Sequence, residues 1–195
     1  MPNVDRWVIK HTFSACRKLL DARSNKLNYL LSINLSGKSL SDSHFLNYIQ
    51  EQFAIYAIPP KAICFEITET AAIVSHMQTI HLITTLKKLG CKFALDDFGS
   101  GMSSFTYLKK FAVDYLKIDG SFVKEMHLNA VDYATVQSIH SVAQALNMKT
   151  VAEYVENDAI LHQLRTIGVA YGQGNRLGKP IELKHLIENL SKVES

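Results

Sequence analysis

Short apolar runs rich in β-branched residues alternate along this chain with longer segments whose apolar residues recur at helical spacing. This alternation is typical of βα units arranged around a mostly parallel sheet. It predicts an α/β fold with strands near residues 29–35, 63–67, 93–95, 115–118, 150–152 and 169–171. The first predicted helix, residues 4–22, has no strand before it. The spacing of the helices suits right-handed crossovers and leaves two architectures open, a doubly wound sheet and a (β/α) barrel.

Every predicted strand has polar or charged residues at or just after its C-terminal end, and this favours the barrel. Barrels carry their chemistry on that face, in the loops after the strands. No G-x-G-x-x-G sequence follows the first strand, which removes the main support for a dinucleotide-binding sheet. The strand-end residues are Asn34, Glu66, Glu69, Asp96, Asp97, Lys117, Asp119, Glu153, Glu156 and Gln173.

These side chains indicate a cation site. Carboxylates that converge on one mouth repel one another unless a cation neutralises them, and oxygen ligands favour Mg²⁺ or Mn²⁺ over zinc. Asp96 and Asp97 are neighbours, so both reach one site only where the chain turns, and residues 98–101 (Phe-Gly-Ser-Gly) supply that turn. A carboxylate that bridges two ions is usual in two-metal phosphoryl chemistry. Lys117 then either holds a phosphate oxygen or lowers the pKa of an attacking water, or it pairs with a carboxylate for stability.

The composition limits the partners and the compartment. Lys and Arg number 21 and Asp and Glu 18, and the net charge of +3 is too small and scattered to indicate DNA, RNA or direct membrane binding. Three cysteines without a C-x-x-C pair indicate neither a disulfide framework nor a zinc site. We therefore expect a reducing, cytoplasmic location and structural roles for Cys64 and Cys91. A longer parent protein could still be anchored in a membrane by other segments.

Six segments resemble, in order and spacing, those of the EAL-domain cyclic di-GMP phosphodiesterases. They are SINLS (32–36), FEITET (65–70), ALDDFGSG (94–101), DYLKIDGSFV (114–123), VAEYVE (151–156) and QGNRLGKP (173–180). The resemblance implies a (β/α)8 TIM-like barrel of the EAL-domain type, formed by a single domain over residues 1–195. It also implies a bacterial signal-transduction hydrolase that cleaves one phosphodiester bond of cyclic di-GMP and releases linear pGpG.

The resemblance further implies a role for each matching residue. The implied cofactor is Mg²⁺ or Mn²⁺ in a two-metal site, and Ca²⁺ is expected to inhibit. The implied ligands are Asn34, Glu66 and Asp96 for the first ion and Asp96, Asp97 and Glu153 for the second. The implied catalytic residues are Lys117, which positions the attacking water, with Glu153 and Glu156. Gln173 is expected near the ligand, and Glu69 is expected to anchor the loop 97–104, which the family uses for substrate binding and homodimer contacts.

Three departures from the family pattern bear on activity. The Glu-Ala-Leu strand that names the family carries a further metal ligand and is not within the chain. We therefore expect a barrel that lacks its first strand and helix, and an isolated chain that is weakly active or inactive. Tyr154 stands where the family usually has glycine, and residues 175–177 (Asn-Arg-Leu) replace an aromatic-rich stretch.

Two alternatives stay open at the level of the sequence. One is a catalytically degenerate module that binds cyclic di-GMP or a protein partner without hydrolysis. The other is an unrelated barrel that uses Mg²⁺ on a different phosphate ester.

Overall fold

The computed structural model describes residues 2–22, 29–100 and 108–186. The chain divides into two compact units: unit 1 is Met1–Ile67, Val74–Lys92 and Ile181–Ser195, and unit 2 is Thr68–Ile73 and Phe93–Pro180. In chain order the elements are α1 (Pro2–Ala22), β1 (Leu31–Leu35), α2 (Gly37–Leu40), α3 (Phe45–Tyr56), a 3₁₀ turn (Pro60–Ala62), β2 (Ile63–Thr68), α4 (Glu69–Val74), α5 (His76–Leu89), β3 (Lys92–Phe98), β4 (Tyr115–Ile118), α6 (Gly120–Val123), α7 (Ala130–Ala145), β5 (Lys149–Ala152), α8 (Asp158–Ile167) and β6 (Tyr171–Gly172).

Unit 1 is organised around the apolar stripe of α1. Ile9, Phe13, Cys16 and Leu20, spaced 4, 3 and 4 residues apart, are all buried, as the helical spacing predicts. Phe13 packs against Phe53 of α3 with ring centroids 4.7 Å apart. Burial of each such side chain contributes roughly 1.5–3 kcal/mol, so this stripe holds α1 in place.

The strands pair in parallel within each unit. In unit 1, β1 pairs with β2, and Asn34 lies opposite Glu66 near the carboxyl ends of the two strands. In unit 2, β3 pairs with β4, β4 with β5, and β5 with β6. Because paired parallel strands end at the same edge, the residues that follow them are brought together within each unit.

The long helices of unit 2 begin at asparagine caps. The side chain of Asn129 accepts a hydrogen bond from the backbone N–H of Val131 at the start of α7. Asn157 accepts one from the backbone N–H of Ile160, 2.9 Å away, at the start of α8. Such caps contribute about 1 kcal/mol each. They fix where each helix starts after the preceding strand or loop.

Two helical stretches of unit 1 and its neighbouring segments are divided into separate helices. After β1, residues Gly37–Leu40 form the short helix α2, and α3 begins only at Phe45. The helical stretch that begins with α4 breaks at Ser75, whose backbone is not helical (φ −107°, ψ 41°) and whose hydroxyl lies 2.8 Å from that of Ser41. Met77, in the first turn of α5, is 72% exposed.

The three cysteines are free and buried. Burial raises the pKa of the Cys91 thiol to about 12, which removes it as a nucleophile near neutral pH. Within the three described ranges, no helix is both long and apolar enough to cross a bilayer.

His140 makes the stability of unit 2 dependent on pH. Its Nδ1 lies 2.8 Å from the hydroxyl of Thr150, its Nε2 is buried without a partner among the described residues, and burial lowers its pKa below 6.5. Below about pH 6.5 the unfolded state therefore binds a proton that the folded state does not, and stability falls as the pH falls. Urea denaturation between about pH 5 and about pH 8 should show a shallower decline for His140→Gln than for the unsubstituted protein.

The control for this experiment is His162→Gln, because His162 is exposed on α8. It should keep the pH dependence of the unsubstituted protein. Equal slopes for His140→Gln and the unsubstituted protein would contradict the assignment.

Candidate metal centre and active site

The aspartate pair at the end of β3 lies in a β-bulge. Leu95 is opposite Leu116 of β4 and Phe98 is opposite Ile118, so β3 advances three residues where β4 advances two. Asp97 lies in this irregular stretch and has a positive φ of 54°, a conformation that aspartate tolerates better than most residues. The turn that the sequence predicts over residues 98–101 therefore begins one position earlier, at Asp97 itself.

The bulge brings three carboxylates of unit 2 together. Asp96, Asp97 and Glu153 each present an oxygen, and these oxygens lie within 4.8 Å of one another. Nζ of the buried Lys117 lies 2.8 Å from Oδ1 of Asp96 and 2.8 Å from Oε1 of Glu153. Lys117 thus points to the carboxylates, as predicted, and makes the ion pairs that its stability role requires.

The electrostatics of this carboxylate cluster suit a bound cation. Burial raises the pKa of Asp97, the neighbouring charges of Asp96 and Asp119 raise it further, and Lys117 lowers it. Burial also raises the pKa of Glu153, against the hydrogen bond and charge of Lys117. One ammonium therefore does not balance the negative charge, and the oxygen-only donor set could hold a hard metal ion.

Glu69 lies beside the residue that follows β3. It is buried at the start of α4, and its Oε2 accepts a hydrogen bond from the backbone N–H of Gly99 at 3.4 Å. Gly99 has a positive φ of 103°, so glycine is the residue that best fits this contact. The loop-anchoring role of Glu69 stays a prediction, because residues 101–104 of the loop 97–104 lie outside the described residues.

A cavity of about 630 Å³ adjoins the cluster within unit 2. Its lining includes Asp97, Glu153, Tyr154, Glu156 and Gln173. Two backbone hydrogen bonds join the segments after β5 and β6, from Val155 N–H to the carbonyl of Gln173 and from Gln173 N–H to the carbonyl of Ala152. The structure thus brings the predicted residues Glu153, Glu156 and Gln173 to one cavity.

The sequence treats Asn175 only as a departure from a pattern, but it contacts a predicted site residue. Its Nδ2 donates hydrogen bonds to both carboxylate oxygens of Glu156, at 3.3 and 3.1 Å. The next residue, Arg176, forms an ion pair with Asp158 at 2.8 Å. The order of residues gives no sign of either contact, because both depend on how the loop after β6 folds back.

Asn34 and Glu66 lie side by side in unit 1, Asn34 exposed and Glu66 buried. This is the arrangement expected at the ends of two parallel strands. Their assignment as ligands of the first metal stays a prediction, as do the individual catalytic and binding roles of the other site residues.

The fold and the site define an α/β protein whose strand-end carboxylates could hold a metal ion. Comparison with known families gives the particular class: the EAL domain profile matches residues 1–180. The chain therefore belongs to the EAL-domain family and has its TIM-like barrel fold, as its sequence motifs predict.

Known proteins agree with this assignment. "Cyclic di-GMP phosphodiesterase PdeB" of Shewanella oneidensis is 45% identical over 190 residues, which are 96% of this chain and 22% of that protein. The EAL domain of Mycobacterium smegmatis DcpA matches with a TM-score of 0.85 and 33% identity, covering 96% of this chain and 83% of that chain. The structure described as "PaMucR Phosphodiesterase, c-di-GMP complex" matches with a TM-score of 0.85 and 29% identity, covering 94% and 74%. The chain spans about a quarter of the length of the curated relatives it matches.

Replacement of Lys117 by methionine tests the charge balance of the cluster. Lys117→Met leaves Asp96 and Glu153 without their shared counter-ion, and we expect the free energy of unfolding to fall by about 3–5 kcal/mol in the absence of divalent ions. Added Mg²⁺ should stabilise this variant more than the unsubstituted protein, because the ion replaces the lost positive charge. Urea denaturation with and without Mg²⁺ measures both effects.

Lys109→Met is the matched control, since Lys109 is exposed. We expect it to change stability by less than about 0.5 kcal/mol and to leave the response to Mg²⁺ unchanged. A loss for Lys117→Met no larger than that of the control would show that the two ion pairs do not balance the cluster.

Proposed function

We propose that the protein hydrolyses cyclic di-GMP to linear pGpG in bacterial signal transduction. The observation that carries the proposal is the carboxylate cluster with Lys117 in a member of the EAL family. Relatives named cyclic di-GMP phosphodiesterases and the structural match to an EAL protein in complex with c-di-GMP support this substrate.

The proposed cofactor is Mg²⁺ or Mn²⁺ in a two-metal site. Asp96, Asp97 and Glu153 are the ligands that the cluster offers, and Asn34 and Glu66 stay sequence-based proposals for the first ion. Bound metal would supply Lewis-acid stabilisation of charge on the phosphate oxygens and a more acidic water. We expect Ca²⁺ to support binding but to inhibit turnover.

The residues of the chain act on the water and on the phosphate. Lys117, fixed between Asp96 and Glu153, positions the attacking water. The water oxygen forms a bond to phosphorus, and the bond from phosphorus to the ribose 3′ oxygen breaks. The proton that the water loses passes to the carboxylate cluster, and the released 3′ oxygen takes up a proton to become the hydroxyl of pGpG.

The remaining site residues act on the substrate from the cavity wall. Glu156 is held by Asn175 and is proposed as a further catalytic residue, and Gln173 is proposed to bind the ligand. Glu69 is proposed to fix the loop 97–104 through Gly99.

We also propose the cellular location, the partners and the domain organisation that the sequence predicts. The protein acts in the cytoplasm, where the three free cysteines stay reduced. It binds neither DNA nor RNA. We further propose that the protein forms a homodimer through the loop 97–104. Residues 1–195 are proposed to form a single EAL-like domain.

The test is a hydrolysis assay on the purified protein with cyclic di-GMP. We expect weak activity, in which pGpG accumulates slowly with Mg²⁺ or Mn²⁺ and not with Ca²⁺ or a chelator. Glu153→Gln should lower kcat by about 10²- to 10⁴-fold, because it removes a charged oxygen from the cluster without changing its size. Chromatographic separation of pGpG from cyclic di-GMP measures the rate.

The control variant is Glu51→Gln, which changes an exposed glutamate of α3 and should leave kcat unchanged. Titration calorimetry in Ca²⁺ separates binding from turnover. Binding of cyclic di-GMP without hydrolysis in either Mg²⁺ or Mn²⁺ would instead identify a binding module that lacks catalysis.

A further inference from the structure

Tyr154 adopts a backbone conformation that its residue type disfavours. Its φ is 53°, in the left-handed region that a bulky side chain rarely enters. The residue lies between Val155, whose backbone is tied to Gln173, and the cluster carboxylate Glu153. Strained residues of this kind cluster at binding and catalytic sites, where the surrounding structure holds them.

The Tyr154 ring packs on one side of α6. It fits closely against Gly120, because a Cβ at that position would clash with Cδ2 of the ring. Lys124 lies one helical turn further on, and its Nζ is 4.1 Å from the ring centroid. Residues four apart lie on the same helix face, so Gly120 and Lys124 both contact the ring from α6. Tyr154 is nevertheless 50% exposed.

Tyr154 is one of the residues that line the 630 Å³ cavity beside the carboxylate cluster. The ring thus offers a rigid, flat apolar surface close to the proposed phosphate site. Each nucleotide of cyclic di-GMP carries one phosphate and one guanine. When the phosphate is bound at the carboxylate cluster, a flat apolar surface beside it can stack on the adjacent guanine. The Lys124 ammonium over the ring withdraws π-electron density. This strengthens stacking of an electron-rich purine on the ring.

We propose that Tyr154 is a base-stacking residue that holds one guanine of cyclic di-GMP against its ring, with Lys124 supporting the ring from α6. This inference rests on the proposed function and adds a residue that sets specificity for a purine-bearing substrate. Tyr154 binds the substrate and takes no part in the chemical step.

The test compares substitutions that separate the ring from its backbone. Tyr154→Asn removes the ring but favours the left-handed conformation, and Tyr154→Phe keeps the ring without its hydroxyl. Calorimetric titration with cyclic di-GMP in Ca²⁺ should show a Kd about 5- to 140-fold higher for Tyr154→Asn, the equivalent of about 1–3 kcal/mol per stacked base. The Kd of Tyr154→Phe should stay within about threefold of the unsubstituted value.

A second substrate separates base recognition from general damage. Bis(4-nitrophenyl) phosphate is a phosphodiester without a purine. Tyr154→Asn should lower the ratio of kcat/KM for cyclic di-GMP to kcat/KM for this compound by the same factor of about 5 to 140. Tyr29→Asn, at an exposed tyrosine of unit 1, is the matched control and should leave the ratio unchanged.

A double-mutant cycle tests the support from Lys124. Lys124→Met should raise the Kd by about 2- to 5-fold when Tyr154 is present, and should have no effect in the Tyr154→Asn background. Equal effects in both backgrounds would mean that Lys124 acts on the ligand without the ring, and would overturn this part of the proposal.

Three other results would overturn the stacking role itself. Unchanged or tighter binding by Tyr154→Asn would show that the ring obstructs the cavity. A loss for Tyr154→Phe as large as that for Tyr154→Asn would assign the effect to the hydroxyl. Parallel losses on both substrates would assign it to the carboxylates. Failure of the unsubstituted protein to bind cyclic di-GMP would instead overturn the proposed function and this inference together.

Discussion

The repulsion among Asp96, Asp97 and Glu153 is the constraint on which the rest of the site depends. Three carboxylates within 4.8 Å of one another are unfavourable in a partly desolvated place unless positive charge is close. Lys117 contributes one positive charge through two contacts of 2.8 Å, which leaves part of the negative charge of three carboxylates uncompensated. Lys117 thus offsets part of the repulsion in the folded unit, and the cluster could hold a metal ion that offsets the rest.

Much of this arrangement follows from the sequence because two periodicities are simple. The alternation of strand and helix places successive strand ends at one edge of a parallel sheet. The sequence therefore predicts that Lys117, Glu153 and Gln173 lie near one another. The stripe of α1 follows in the same way from its spacing of 3 and 4 residues. The left-handed backbone of Asp97 and the contact of Asn175 with Glu156 could not be predicted. These depend on loop geometry and on local packing, which residue order specifies only weakly.

The site residues differ in how they are held. Asp96, Glu153 and Lys117 lie in or directly after strands, and their mutual ion pairs fix their positions. Tyr154 and Asn175 belong to connecting segments and line the adjoining cavity. Changes in those segments can reshape the cavity wall while the carboxylates keep their places. The division separates the groups suited to chemistry from those suited to recognition, as is common where loops are carried on a rigid scaffold.

The bulge in β3 has a consequence for how such chains diverge. Side chains along a strand alternate in direction, so gaining or losing one residue reverses every position beyond the change. Between Leu95 and Phe98 the extra residue is what turns two adjacent aspartates toward the same neighbours. The number of residues in this short stretch is therefore as much a determinant of the site as their identity. Substitutions can accumulate around it, but a change in its length disassembles the cluster even when every acidic residue is kept.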